Sequence, residues 1–113
     1  MKPPSGEHVL ATFGGCAAGP LDDERVLRAL VERAVTAAGA RVIEVVSHRF
    51  EPHGVTVVAL LAESHASLHT YPEAGVAFWD CFTCGASAAP ALSVAVLQQG
   101  LAAASVEDQH IHR

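Results

Sequence analysis

Concentrated positive charge is missing from this chain. Its seven basic residues are scattered, its formal net charge is −5, and no Lys/Arg cluster offers a face for tracking phosphates. Nucleic acid is therefore not an expected partner. Long hydrophobic runs are missing as well, so no membrane span is expected. The opening Met1-Lys2-Pro3-Pro4-Ser5-Gly6 lacks the apolar centre of a signal peptide. Cysteine is sparse: three residues, an odd number without a secretion signal, which fits reduced thiols in a cytoplasm. Charged residues make up only 17%, while half of the chain is apolar, which suits one core and excludes a disordered chain. With 113 residues, a single domain spanning 1–113 is expected. Small domains often gain stability by pairing, so a homodimer is a natural expectation.

The hydrophobic pattern changes period along the chain. His8 to Phe13 reads as a strand ended by Gly14-Gly15. From Leu21 to Ala38 the apolar residues Val26, Leu27, Leu30, Val31, Ala34, Val35 and Ala38 form a helical stripe. Asp22, Asp23 and Glu24 suit its positive first turn and Gly39 its C-terminal cap. Arg41 to Phe50 and Val55 to Ala62 read as a hairpin joined at Glu51-Pro52-His53-Gly54. Ser64 to Thr70 and Val76 to Thr83 read as another strand pair. Ala88 to Leu101 reads as a helix with Pro90 in its first turn, and Ser105 to Arg113 as an edge strand or a frayed tail. The order predicts an α+β two-layer sandwich, an antiparallel sheet with helices on one face. The other face then needs cover, which points to dimerisation through or beside the sheet.

The segment from Glu63 to Gly85 concentrates reactive side chains in a stretch that otherwise reads as sheet. Each has an ordinary reading: Ser64 and Glu63 as turn residues, His65 and His69 as hydrogen-bonded sheet histidines, Cys81 and Cys84 as small hydrophobes. Two constellations compete with that reading. His65, His69, Cys81 and Cys84 form donor pairs whose spacings occur in zinc sites, which would make this a non-catalytic metal-binding domain. However, the cysteines follow a strand-like run and lack the glycine-rich knuckle that turns such a pair around an ion.

The second constellation is a set of motifs. Glu63-Ser64-His65, His69-Thr70-Tyr71-Pro72-Glu73 and Phe82-Thr83-Cys84-Gly85 resemble the self-processing region of S-adenosylmethionine decarboxylase proenzymes of the short prokaryotic, pyruvoyl-dependent type. Gly6-x-His8, Ser47-His48-Arg49-Phe50 and Pro52-x-Gly54-Val55-Thr56 extend the likeness in the family's order. The resemblance implies autocatalytic cleavage between Glu63 and Ser64 into residues 1–63 (β chain) and 64–113 (α chain). The Ser64 hydroxyl attacks the preceding carbonyl, and His69 matches the processing base that removes the α-proton. Elimination and hydrolysis then leave a pyruvoyl group at position 64, which forms a Schiff base with the substrate. Thr56 matches a hydroxyl that assists processing and is expected to stabilise the oxyanion. Cys84 matches the proton donor in turnover. Phe50, Tyr71 and Glu73 match substrate-binding positions, with an aromatic for adenine and another facing the sulfonium. No metal is implied. The product would be the aminopropyl donor for spermidine and other polyamines.

Tyr71 stands where the family usually has tryptophan, which keeps arginine or ornithine open as substrates on the same scaffold. A catalytically dead dimerisation partner is a further reading, opposed by the joint presence of Ser64, His69 and Cys84. Along a flat strand Ser64 and His69 lie about 16 Å apart and on opposite faces. The reading therefore requires irregular backbone near Glu63–Ser64.

Overall fold

A computed structural model describes residues 4–85 and 88–113; Met1 to Pro3, part of the segment expected to carry no leader, lie outside these. In chain order the elements are β1 (Gly6–Gly14), α1 (Ala18–Leu21), α2 (Glu24–Ala37), β2 (Val42–Arg49), β3 (Val55–Leu61), β4 (Ser64–Tyr71), β5 (Val76–Cys84), α3 (Leu92–Gly100) and β6 (Ser105–His112). The strands form one six-stranded antiparallel sheet in the order β2-β3-β4-β5-β1-β6. This is the expected α+β architecture.

Side-chain alternation explains why the helices occupy one face. Val9, Ala11 and Phe13 of β1, Val57 and Ala59 of β3, Ala66 and Leu68 of β4, and Trp79 and Cys81 of β5 are all buried. They pack against Leu27, Leu30, Val31, Ala34 and Val35 of α2 and Val94 and Leu97 of α3. Trp79 pins α3 to the sheet: its indole N–H donates to Ser93 Oγ at 2.9 Å, and that hydroxyl donates to Pro90 O at 2.6 Å. The residues between these core positions make the opposite face, and among the described residues no other element covers it. Val46 is 55% exposed there, Leu60 49% and Phe78 47%.

Helix limits differ from the sequence reading in two places. The stripe expected from Leu21 to Ala38 is interrupted at Asp22 and Asp23. Asp23 acts as N-cap of α2, accepting from Val26 N–H at 3.1 Å, which ends the preceding turn. The second helix starts at Leu92 instead of Ala88: a residue before proline is pushed out of helical backbone, which removes Ala89, and Pro90 and Ala91 form a turn leading into the helix. The tail is an ordered edge strand: β6 pairs with β1 from Gly14↔Ser105 to Glu7↔His112. Arg113 closes that edge, exchanging backbone hydrogen bonds with Gly6 and stacking its guanidinium 5.0 Å from the Phe82 ring centroid. Gly6 admits this close packing, since a Cβ there would lie 2.7 Å from Thr83 O.

Candidate active site

Leu61 pairs with Ser64, so Ala62 and Glu63 form a two-residue turn between β3 and β4. Three contacts fix this turn. Ala62 N–H donates to Arg41 O at 2.9 Å, and the Arg41 backbone N–H donates to Glu63 Oε1 at 3.0 Å. That second bond is the main reason the Glu63 carboxyl is held below its usual range. The third contact reaches the backbone itself: Cys84 N–H donates to Glu63 O at 2.9 Å. Ser64 is near fully extended, with φ of +157°, and its Oγ lies 3.1 Å from His65 Nδ1. Thr83, opposite Ser64 in the register, has a buried hydroxyl without a hydrogen-bond partner among the described residues.

The irregular backbone expected at Glu63–Ser64 is thus a tight turn rather than a bulge. It does not bring His69 to Ser64. Strand β4 runs in unbroken register against β3 and β5, and pairing on both sides leaves no freedom to bend. His69 therefore stands at the far end, about 16 Å along the strand. Thr56 goes with it. It pairs with His69, and its hydroxyl is hydrogen-bonded to His69 Nδ1. The expectation that Thr56 meets the Glu63 carbonyl does not hold within one chain, where the Cys84 backbone N–H takes that position.

The far end is aromatic. His69 lies 5.8 Å from Phe50 and 4.6 Å from Tyr71 between ring centroids, and Tyr71 lies 5.7 Å from Phe78. Glu73 sits on the turn just beyond, its carboxylate 3.3 Å from His53 Nε2. The residues expected to act together thus form two half-sites at opposite ends of β4. Glu63, Ser64 and Cys84 hold one end, and Phe50, Thr56, His69 and Tyr71 hold the other, with Glu73 at its rim.

The chain matches the family model for S-adenosylmethionine decarboxylase over residues 7–113. It belongs to the S-adenosylmethionine decarboxylase family. It is 46% identical over 98 residues to the S-adenosylmethionine decarboxylase proenzyme of Parasynechococcus marenigrum (strain WH8102), covering 87% of this chain and 77% of that one. The proenzyme of Methanococcus maripaludis (strain C7 / ATCC BAA-1331) is 41% identical over 108 residues, 96% of this chain and 88% of that one. The crystal structure of the adenosylmethionine decarboxylase from Aquifex aeolicus VF5 superposes with a TM-score of 0.87 at 34% identity, covering 97% of this chain and 91% of that one.

In this S-adenosylmethionine decarboxylase family member the donors of the zinc reading do not converge. Cys81 is fully buried on the helix side, where burial first and the Asp80 charge second push its thiol up to about 12, while His65 and His69 occupy the open face. Among the described residues no group of three His, Cys, Asp or Glu side chains is arranged to hold a metal ion. Sequence reasoning missed two features of the Ser64 half-site. A backbone N–H such as that of Cys84 carries no sequence signature, and only the β4–β5 register locates it. The other is Asp80, whose Oδ1 lies 3.3 Å from His8 Nε2 and 3.8 Å from His65 Nε2, and whose Oδ2 accepts from the Ser67 hydroxyl. The signal for Asp80 was its place one residue before Cys81, in step with His8 and His65 on the open face.

Proposed function

We propose that this chain is a proenzyme that cuts itself between Glu63 and Ser64 and then decarboxylates S-adenosylmethionine, yielding the aminopropyl donor for spermidine synthesis. The observation that carries the reading is the Glu63 carbonyl, held by Cys84 N–H at 2.9 Å at the exit of a fixed turn. A hydroxyl attacking that carbonyl carbon develops negative charge on an oxygen that already has a preorganised donor. The names of the proenzymes quoted above support the same activity.

The fold tolerates the cut. Residues 1–63 supply β1, β2 and β3, and residues 64–113 supply β4, β5 and β6. In the sheet the two sets alternate, meeting at β3–β4, β5–β1 and β1–β6. Both products therefore stay locked in one sheet by backbone pairing after the peptide bond is gone.

The position of Ser64 fits a pyruvoyl precursor: it is half-buried at the end of a strand, beside a free thiol at Cys84. When formed, a pyruvoyl carbonyl supplies the electron sink for loss of carbon dioxide. The thiol of Cys84 returns a proton to the substrate's α-carbon. Phe50 offers a face for adenine, Tyr71 a π-face for the sulfonium and Glu73 a carboxylate for ribose hydroxyls or the positive charge.

Two half-sites on one strand require a second copy. A two-fold axis lying between two facing open sheets, perpendicular to β4, runs one β4 antiparallel to the other and sets the Ser64 end of each against the His69 end of its partner. The exposed Val46, Leu60 and Phe78 on that face supply the apolar cover such packing needs. The active unit is then a homodimer, with Thr56 and His69 serving the Ser64 of the other protomer.

Intact-mass spectrometry under denaturing conditions tests the cleavage. Chains of residues 1–63 and 64–113 are expected, the second lighter than encoded because the serine amine has become a carbonyl, and Ser64→Ala should stay whole. An unmutated chain that remains unbroken after long incubation refutes the reading. Carbon dioxide release from S-adenosylmethionine, with arginine and ornithine in parallel, tests the substrate.

A further inference from the structure

The open face holds one polar network that the proposed reaction leaves without a task. It joins three strands at the Ser64 end of the sheet: His8 from β1, His65 and Ser67 from β4, and Asp80 from β5. Asp80 is its hub. Its Oδ1 faces His8 Nε2 at 3.3 Å and His65 Nε2 at 3.8 Å, and its Oδ2 accepts from the Ser67 hydroxyl. On the other side of the His65 ring, Nδ1 lies 3.1 Å from Ser64 Oγ. His65 Nδ1 thus meets the Ser64 hydroxyl, while its Nε2 faces a carboxylate just beyond hydrogen-bond reach.

This geometry has a definite protonation sense. A carboxylate accepts only, so Asp80 favours the tautomer of His65 with hydrogen on Nε2. Nδ1 then presents its lone pair to Ser64 O–H, within the reach required of a general base. The gap of 3.8 Å between His65 and Asp80 exceeds a hydrogen bond but is an ion-pair distance. His8 and Ser67 hold the Asp80 carboxylate in place. His69 of the same chain is about 16 Å away along the strand, and the His69 that a dimer brings to this end comes from the other protomer, so His65 is the histidine that each chain sets against its own Ser64 hydroxyl.

We infer that His65, aligned by Asp80, is the base that initiates self-cleavage, and that His69 is confined to the later removal of the α-proton. The inference rests on the reading of Glu63–Ser64 as a self-cleaved bond. In the step assigned to it, His65 Nδ1 takes the hydroxyl proton as Ser64 Oγ bonds to the Glu63 carbonyl carbon. The charge on Glu63 O is met by Cys84 N–H. The C–N bond then breaks, its electron pair staying on Ser64 N, and the imidazolium returns the proton to that nitrogen. The result is an ester between Glu63 and Ser64 with a free Ser64 amine, and His65 is regenerated. Elimination follows as a separate event: the α-proton leaves, the Cβ–Oγ bond breaks, and Glu63 departs as a carboxylate.

Two bases for two steps predict two different stalled chains. Full-length chains made by cell-free translation, quenched over time and read by intact mass with and without hydroxylamine, distinguish them. Hydroxylamine cuts an ester and leaves an amide. His69→Ala should stall as the ester and release residues 1–63 on hydroxylamine treatment. His65→Ala should stall as the intact amide, resist hydroxylamine and slow cleavage by about 10²-fold or more. His65→Gln keeps a polar side chain that cannot take the proton and should behave the same, which decides the matter if the alanine variant misfolds. Asp80→Asn should slow cleavage by a smaller factor, on the order of tenfold, again with the amide accumulating. A loss of structure alone would not sort the variants by which bond persists. Cleavage of a folded His65→Gln chain at the unmutated rate, or its accumulation as a hydroxylamine-sensitive ester, overturns the inference and leaves self-cleavage standing. If the unmutated chain itself never cleaves, the proposed function falls first.

Discussion

Co-expression of two inactive chains tests whether the half-sites combine across a dimer. Ser64→Ala removes the hydroxyl proposed to react, and His69→Ala removes the proposed far-end base. Within one chain these positions are separated by about 16 Å of continuous strand, several times the ~3 Å reach of a proton transfer. No rotamer bridges that distance, and β4 is paired along both edges. If the two-fold packing holds, a mixed dimer contains one complete site, formed by Ser64 of the His69→Ala chain and His69 of the Ser64→Ala chain. Its other site lacks both groups. Random assortment of equal amounts makes about half of the dimers mixed, so about half of the His69→Ala chains should be cleaved. A mass tag on one chain allows the products to be counted by intact-mass spectrometry. Native mass spectrometry verifies that mixed dimers form. Mixed dimers in which no His69→Ala chain is cleaved would refute the arrangement, as would efficient cleavage of that variant expressed alone.

Leu60→Ala removes a half-exposed side chain from the open face, near the Ser64 end of β3. Losing about 1 kcal/mol of burial in each protomer, or ~2 kcal/mol by symmetry, should weaken the dimer about 30-fold in sedimentation equilibrium. An unchanged association constant would place the interface elsewhere. Asp22 accepts from Gly54 N–H at 2.9 Å and pairs with Arg49 Nη2 at 2.8 Å, contacts that hold its carboxyl below the usual range. A depressed folded value means the stabilisation is present above the unfolded value of about 3.9 and is lost as pH falls through the folded one. The stability difference between the unmutated chain and Asp22→Asn, measured by urea titration, should therefore shrink below about pH 4; a constant difference down to acid would contradict this. Gly100→Ala drives a methyl into the buried Leu30 side chain in the α2–α3 contact. Overpacking should cost about 1–3 kcal/mol, exceeding the ~1 kcal/mol gained in helix propensity, and lower the melting temperature. A higher melting temperature would show that the helices can separate.

Much of the fold was legible because its signals are local. Alternation at Val55, Val57, Ala59 and Leu61 identifies both a strand and its buried face, and the stripe from Leu27 to Val35 identifies the face of α2. The boundaries that moved were set by side-chain competition: Asp23 used its carboxylate as a cap, and Pro90 excluded its predecessor from the helix. The tail Ser105 to Arg113 read equally as an edge strand or a frayed end, since its place depends on pairing with β1, a strand about a hundred residues earlier.

For the site, the sequence by itself determined the inventory: which reactive side chains are present, and that a Glu63–Ser64 peptide stands among them. Those are properties of residue identity and short spacing. What the tertiary structure decided is which of them meet. Register brought the Cys84 N–H to the Glu63 carbonyl, joined His8, His65 and Asp80 from three strands, and held His69 at the opposite end of β4. The physical reason is that hydrogen-bonded pairing fixes neighbours across strands while a paired strand cannot fold back on itself. Residues five apart in sequence are thereby kept separate, and residues distant in sequence share a site.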